Sequence, residues 1–122
     1  MNWNVNMHMK EQKSFTDSNG LHRIEFMNHS RYPEFFLPIS AQVAIRKSKK
    51  PFLLKEKFAG MLYCHNEKNL FNPGETAVIE WVPDNSLPNR SEFILKLFYV
   101  DSDSLANYNG SEKPFSTIFM TR

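Results

Sequence analysis

Hydrophobic and polar residues alternate along most of this 122-residue chain. In "ETAVIEWV" the apolar residues Ala77, Ile79 and Trp81 stand at every second position, which predicts a strand with one buried side. The same two-residue period recurs in other stretches that are rich in β-branched and aromatic residues, and "FLLKEKF" offers one more. These stretches are "WNVNMHM", "LHRIEFMN", "ISAQVAIRK", "GMLYCH", "EFILKLFYV" and "FSTIFMT".

The alternation also predicts which side chains enter the core. In the second of these stretches His22, Ile24 and Phe26 share one face. In the third, the shared face holds Ile39, Ala41, Val43 and Ile45. In the first, Trp3, Val5, Met7 and Met9 lie opposite His8, so the two methionines and the histidine cannot converge on one metal ion.

Turn signals separate the predicted strands. Pro73 followed by Gly74 predicts a type II turn, because proline fixes φ near −65° and glycine accepts a positive φ. Other breakers are "DSNG", "SRYP", "VPDNSLPN" and "NYNGSEKP", and no amphipathic helical stripe runs for ten residues without one. Short strands joined by such turns predict one all-β domain over residues 1–122, an antiparallel sandwich of about seven to eight strands.

The order of three segments resembles a known family. "FMNHSRYPEFFLP", "NPGETAVIEWVP" and "EFILKLFYV" follow one another as in immunoglobulin-like sandwiches of the PapD-like and major-sperm-protein type, over residues 21–100. The resemblance implies a sandwich that acts through surface contacts and without catalysis. The basic "K-x-K-T-T" segment with which some of these domains hold acidic peptides is absent from this sequence.

Composition and charge restrict the classes of function. The net charge is +2, from 15 basic and 13 acidic residues, which is too balanced to indicate nucleic acid or a membrane surface as the partner. A single cysteine, Cys64, excludes an intrachain disulfide, and we expect it to be a small buried hydrophobe. The amino-terminal stretch has no continuous apolar run, which predicts a cytoplasmic protein without a membrane span.

No catalytic or cofactor motif is recognisable. The chain contains no GxSxG, HExxH or glycine-rich phosphate loop, so we predict neither an enzyme nor a cofactor or metal. Three Asn-x-Ser sequons, at Asn28, Asn89 and Asn109, are close to the number that twelve asparagines give by chance.

The first candidate binding site is a pair of loops. "HSRYPE" and "DSDSLANYNGSEKP" emerge at one end of the sandwich if three strands separate the strands that precede them, and at opposite ends if residues 51–65 form two strands. The side chains that would meet there are Arg31, Tyr32, Asn107 and Tyr108. Tyrosine and arginine dominate interface energetics, so we predict that another protein is the partner, although solvated connections would look the same.

The second candidate is the basic segment of residues 46–57. It contains Arg46, Lys47, Lys49 and Lys50, which are suited to an acidic partner or nucleic acid, or which protect a solvated edge strand from aggregation. The function predicted is therefore a non-catalytic protein-interaction module. The alternatives are a small-ligand-binding or inhibitor domain, binding through the basic segment, and a homo-oligomer formed through an edge strand.

Overall fold

The computed structural model describes residues 7–46, 56–106 and 112–122. Within these ranges the chain forms nine strands and one short helix. Their bounds are β1 (Met9–Thr16), β2 (His22–Asn28), β3 (Glu34–Ile45), β4 (Lys57–Phe58), β5 (Gly60–Cys64), β6 (Leu70–Phe71), β7 (Thr76–Pro83), β8 (Glu92–Asp101), α1 (Ser102–Ala106) and β9 (Lys113–Met120). The first predicted strand falls partly outside the described residues, because Trp3 and Val5 precede residue 7.

The strands form two antiparallel sheets. The first sheet has the order β1-β2-β7-β5, the second has the order β4-β3-β8-β9, and β6 pairs with the beginning of β3. This division is that of an immunoglobulin-like sandwich, in which the first, second, fourth and fifth long strands form one sheet and the others form the second. The predicted fold class is confirmed. The strand count exceeds seven to eight because β4 and β6 are separate two-residue strands.

Aromatic side chains join the two sheets. The ring of Phe26, on β2, lies 5.1 Å from the rings of both Phe36 and Phe115, which belong to the second sheet. Ala77, Ile79 and Trp81 of β7 are buried as their alternation predicts. Burial of a tryptophan removes about 200 Å² from water and stabilises the fold by several kcal/mol.

The turn before β7 has the predicted geometry. Gly74 has a φ of 82°, and the Glu75 amide donates to the Asn72 carbonyl at 2.9 Å, which closes a type II turn around Pro73. The strand that follows is closely packed at its far end. A Cβ atom on Gly60 would lie 2.4 Å from the Trp81 ring, so only glycine fits there on β5.

The predicted face of β3 is wrong at one position. Val43 is buried and Ala41 and Ile45 are partly buried, but Ile39 is 45% exposed. The register with β8 shifts between Pro38 and Ser40. A β-bulge there inserts one residue and reverses the alternation, so that Phe36 and Pro38 face the core before the bulge.

Residues 56–64 differ from prediction in two respects. They form two strands, β4 and β5, but the chain passes from one sheet to the other at Ala59 without reversing direction. The loops after β2 and β8 therefore lie at the same end, and the expectation that two strands would separate them is wrong. Cys64, expected in the core, is exposed, because it is the last residue of the edge strand β5.

His22 is a buried titratable side chain at the junction of the sheets. Its ring stacks on Phe119 with centroids 4.4 Å apart, and Nδ1 lies 2.7 Å from the Thr16 hydroxyl. Nε2 is buried and has no hydrogen-bond partner within the described part of the chain. Loss of hydration disfavours the charged ring and lowers the pKa of His22 to about 4.

We predict that His22 makes folding stability depend on pH. The pKa is about 4 in the folded protein against 6.5 as its ordinary value, so the unfolded chain binds more protons between these pH values. Above pH 6.5 His22 is neutral in both states and does not lower the free energy of unfolding. As the pH is lowered to 4, protonation of the unfolded chain reduces the free energy of unfolding by roughly 3 kcal/mol. Urea unfolding across this range should show a larger loss in the wild type than in His22→Phe, which keeps only the loss caused by carboxylates such as Glu80 and Asp101. An equal loss in both proteins would contradict the assignment.

Candidate functional site

The loops after β2 and β8 meet at one end of the sandwich, which we call the loop end. Phe36 near the start of β3 pairs with Asp101 at the end of β8. The Phe35 amide, near the start of β3, donates to the hydroxyl of Ser102 at 2.8 Å. Ser102 is the first residue of α1, so this bond joins the end of the β2–β3 loop to the start of the β8–β9 connection. The structure thus brings the β2–β3 loop and the beginning of the β8–β9 connection together.

The β2–β3 loop is organised by Asn28, the last residue of β2. Its side-chain amide donates to the carbonyls of Tyr32 at 2.8 Å and Phe71 at 2.9 Å, and its side-chain oxygen accepts from the Ser30 amide at 2.8 Å. Asn28 is only 2% exposed. The first sequon asparagine is therefore a buried structural residue whose amide is committed to backbone carbonyls.

Ser30 fixes the same loop from the solvent side. Its hydroxyl donates to the Tyr32 carbonyl at 2.8 Å and accepts from the Tyr32 amide at 3.2 Å. The backbone of Tyr32 is thereby held by two side chains, while its ring is 73% exposed. Arg31 is also exposed, and in the described residues neither Arg31 nor Tyr32 makes a side-chain hydrogen bond or ion pair.

The base of the β8–β9 connection is closed by an ion-pair cluster. Lys113 donates to Asp101 at 3.1 Å and to Asp103 at 3.0 Å, and Asp101 caps α1 by accepting from the Ser104 amide at 2.8 Å. Burial acts to raise the pKa of Asp101, but the hydrogen bonds from Ser104 and Lys113 outweigh it and lower that pKa. The other two predicted contact residues, Asn107 and Tyr108, lie outside the described residues.

The predicted basic segment is described only in part. Lys47, Lys49 and Lys50 lie outside the described ranges. Arg46 pairs with Glu92 at 2.8 Å, so its charge is already balanced. Lys57 of β4 is the remaining described lysine of this segment, and it lines a groove that was not predicted from the sequence.

That site is a groove of about 520 Å³ on the outer face of the second sheet. The described residues of its lining include two charged side chains, Lys57 and Lys96. These residues are Gln42, Ala44, Lys57, Ile94, Lys96, Pro114 and Ser116. All thirteen acidic residues of the chain lie in the described ranges, and none of them forms an ion pair with Lys57 or Lys96. Alternation in "EFILKLFYV" places Lys96 outward, so the sequence carried one signal for this groove.

A second charged cluster lies on the outer face of the first sheet. Glu80 accepts two hydrogen bonds from Arg23, the shorter at 2.8 Å, and its other oxygen contacts the His65 ring. Burial acts to raise the pKa of Glu80, but these partners outweigh it and lower that pKa, which favours the ionised carboxylate as their acceptor. Among the described residues no three His, Cys, Asp or Glu side chains are grouped to hold a metal ion.

Comparisons with known proteins identify the fold and no family. The chain matches no protein-family model and no curated protein. Its structure is similar to the archaellum periplasmic stator protein FlaG from Sulfolobus acidocaldarius, with 11% identity, 91% of this chain and 97% of that chain covered, and a TM-score of 0.55. It is also similar to a chain of the stator protein complex of FlaF and FlaG from the same organism, with 11% identity, 93% and 89% covered, and a TM-score of 0.57.

A third structural neighbour is the ASH/PapD-like domain 7 of human CEP192. It shares 11% identity over 84% of this chain and 72% of that chain, with a TM-score of 0.37. At these identities the two stator structures support the sandwich fold alone. In the part of the chain that the structure describes, no helix has the length and apolar character needed to cross a membrane.

The hydrogen bonds of Asn28 predict a large stability effect. We expect Asn28→Ala to destabilise the protein by about 3 kcal/mol, because it leaves the carbonyls of Tyr32 and Phe71 without their buried donor. The control is Asn89→Ala, which changes an exposed asparagine of another sequon and should alter stability by less than about 0.5 kcal/mol. Chemical denaturation measures both, and equal effects would show that Asn28 does not organise the loop.

Proposed function

We propose that this chain is a non-catalytic protein-binding domain that contacts its partner through the loop end. The observation that carries the proposal is Tyr32, whose ring is 73% exposed on a backbone held by the side chains of Asn28 and Ser30. Single exposed rings are common on protein surfaces, but this ring stands on a backbone that two side chains hold in place. Aromatic rings with few rotatable bonds are the side chains that contribute most at protein interfaces.

Preorganisation favours binding at this loop. Binding normally costs free energy to order loops and side chains, and a loop fixed before binding avoids part of this cost. The hydrogen bonds from Asn28 and Ser30 fix the backbone of Tyr32, so at this residue only the side-chain torsions remain to be ordered on binding. We include Asn107 and Tyr108 in the proposed contact surface because their connection begins beside the β2–β3 loop.

The structural neighbours agree with this class of function. One of them is named as a complex of two stator proteins, and neither stator name denotes an enzyme. A protein partner, a single domain and the absence of catalysis are proposed for this chain on the same basis. A cytoplasmic location remains a proposal from the sequence, and the FlaG neighbour is itself named as periplasmic.

We predict that Tyr32→Ala will weaken binding of the partner by roughly 30-fold, which corresponds to about 2 kcal/mol for an interface hot spot. The partner would be captured from lysate on wild-type protein, purified, and titrated by calorimetry against both proteins. The double variant Tyr32→Ala with Tyr108→Ala should weaken binding of the partner further. The melting temperature should stay within a few degrees, because the Tyr32 ring is mainly in solvent.

The control is Phe15→Ala, which removes an exposed ring near the opposite end of the sandwich. This variant should bind like the wild type. A partner that binds Tyr32→Ala as tightly as the wild type would remove the loop end from the proposed function. A partner that is lost equally from Phe15→Ala would indicate a different surface.

The groove on the second sheet supports a second candidate, binding of an acidic protein segment. Lys57 and Lys96 border apolar lining from Ala44 and Ile94 and have no acidic side chain of their own chain in ion-pair distance. Lys96 lies 5.6 Å from the centre of the Phe98 ring, where its charge is partly satisfied but remains available. A segment that alternates carboxylates with aliphatic side chains would complement both features.

We predict that Lys57→Glu with Lys96→Glu lowers the affinity for synthetic peptides of alternating Glu and Leu by roughly tenfold, as two attractive exposed pairs become repulsive. Binding by fluorescence anisotropy at two salt concentrations measures this. Lys10→Glu with Lys13→Glu, on the other sheet, makes the same change in net charge and should have little effect. Equal losses in the two double variants would mean that the attraction is general and that the groove is not the site.

A further inference from the structure

Among the described residues, five strands form the edges of the two sheets, and four of them carry features that prevent edge-to-edge pairing. β1 contains three charged residues and a register shift between Glu11 and Lys13. β4 and β6 have only two residues each. β9 begins with Lys113 and Pro114. The side chain of Thr117, also on β9, is hydrogen-bonded to Glu11 of β1. Charges, bulges, proline and short length are the usual protection of an edge strand.

β5, the remaining edge of the described strands, has none of this protection. Its sequence, "GMLYC", contains no charge and no proline, and its pairing with β7 runs from Gly60 to Cys64 without a register shift. Two of its large side chains are exposed, Met61 by 57% and Tyr63 by 46%. An apolar edge strand with a regular ladder is a template for another strand.

The direction of the free backbone groups on β5 follows from its hydrogen bonds. The His65 amide donates to the Val78 carbonyl, and the Asp84 amide donates to the Ala59 carbonyl. Hydrogen-bonded pairs in an antiparallel ladder recur every second residue, so the backbone amide and carbonyl groups of the odd-numbered residues point to β7. The amide and carbonyl groups of Gly60, Leu62 and Cys64 therefore point away from the sheet, and in the described chain no other backbone segment bonds to them.

The strand is complementary to a second copy of itself. Antiparallel pairing centred on Leu62 would place Leu62 opposite its own copy and Gly60 opposite Cys64, so that every outward amide finds a carbonyl. On the outer face, Met61 would then stand opposite Tyr63 of the second copy. These two side chains already make a contact within one chain, where the Tyr63 hydroxyl donates to the Met61 sulfur at 3.7 Å.

We propose that two copies of this chain associate through antiparallel pairing of β5, which makes one continuous sheet across the dimer. The occupant of this edge is a second copy because the strand lacks charge and its exposed side chains match each other in the antiparallel register. The dimer has two-fold symmetry, since each β5 is both donor and acceptor.

The test uses sedimentation velocity of the full chain over a micromolar to millimolar range, in a Cys64→Ser background that excludes an intermolecular disulfide. The parent protein should show a concentration-dependent monomer–dimer equilibrium. Met61→Lys with Tyr63→Lys should raise the dissociation constant by about tenfold or more, because each new lysine faces another lysine across the pair. Both changed side chains are largely exposed, so the melting temperature should be retained.

A charge-swapped variant tests the register. Met61→Lys with Tyr63→Glu places opposite charges across the same antiparallel pair and should dimerise like the parent, although it alters the same positions. Monomers at every concentration in the parent would overturn the proposal. So would a dimer that the double lysine variant does not weaken, which would lie on another surface. Equal loss in the lysine–lysine and lysine–glutamate variants would overturn the antiparallel register and with it the proposed dimer.

Discussion

The rest of the structure depends on the contact between aromatic side chains of the two sheets. Phe26 projects from the first sheet between Phe36 and Phe115 of the second, with 5.1 Å between ring centres in both pairs. A strand has only one inward side chain in every two residues, so each of these rings must fall at the correct parity of its own strand. Once these rings face inward, the side chains at the alternate positions of the same strands face outward. The inner packing therefore determines which side chains are displayed on the outer faces.

Asn28 extends this constraint from the core to the loop end. It is the last residue of β2, two positions after Phe26 on the same face of the strand, and its side chain is buried like those of the hydrophobic residues before it. Its side chain carries hydrogen bonds that hold the backbone of the loop at Ser30 and Tyr32. Because a buried amide is costly unless it is fully bonded, the loop adopts the conformation that satisfies it. The exposed ring is thus positioned by the same strand that carries the core.

Most of the fold could be predicted from the sequence, because its main signal is local. The parity of His22, Ile24 and Phe26 and the turn at Pro73 and Gly74 depend on neighbouring residues only. Ile39 could not be placed, since the bulge beside it arises from the register of β3 against β8. Nor could the passage between sheets at Ala59, which decides that Cys64 is exposed, because it depends on two partners distant in the chain.

The candidate sites were predictable to the extent that they lie within one segment. Arg31 and Tyr32 could be selected from a single loop, by residue type and by the turn signals around them. The groove could not, because Lys57 and Lys96 are separated by thirty-nine residues and become neighbours only through the pairing of β4, β3 and β8. The importance of Asn28 was hidden for the same reason, since one of its acceptors is the carbonyl of Phe71.

Pairing through β5 would have a geometric consequence for the loop end. A two-fold axis perpendicular to the sheet reverses the direction of every strand in the second copy, so the two loop ends would point in opposite directions. Such a dimer could not place both copies of Tyr32 on one small partner, and it would gain no avidity from a monomeric target. It would instead join two partners, or two distant sites of one large assembly, with the continuous sheet as a rigid connection between them. In such a dimer the edge would set the spacing and the direction in which the two loop ends are presented.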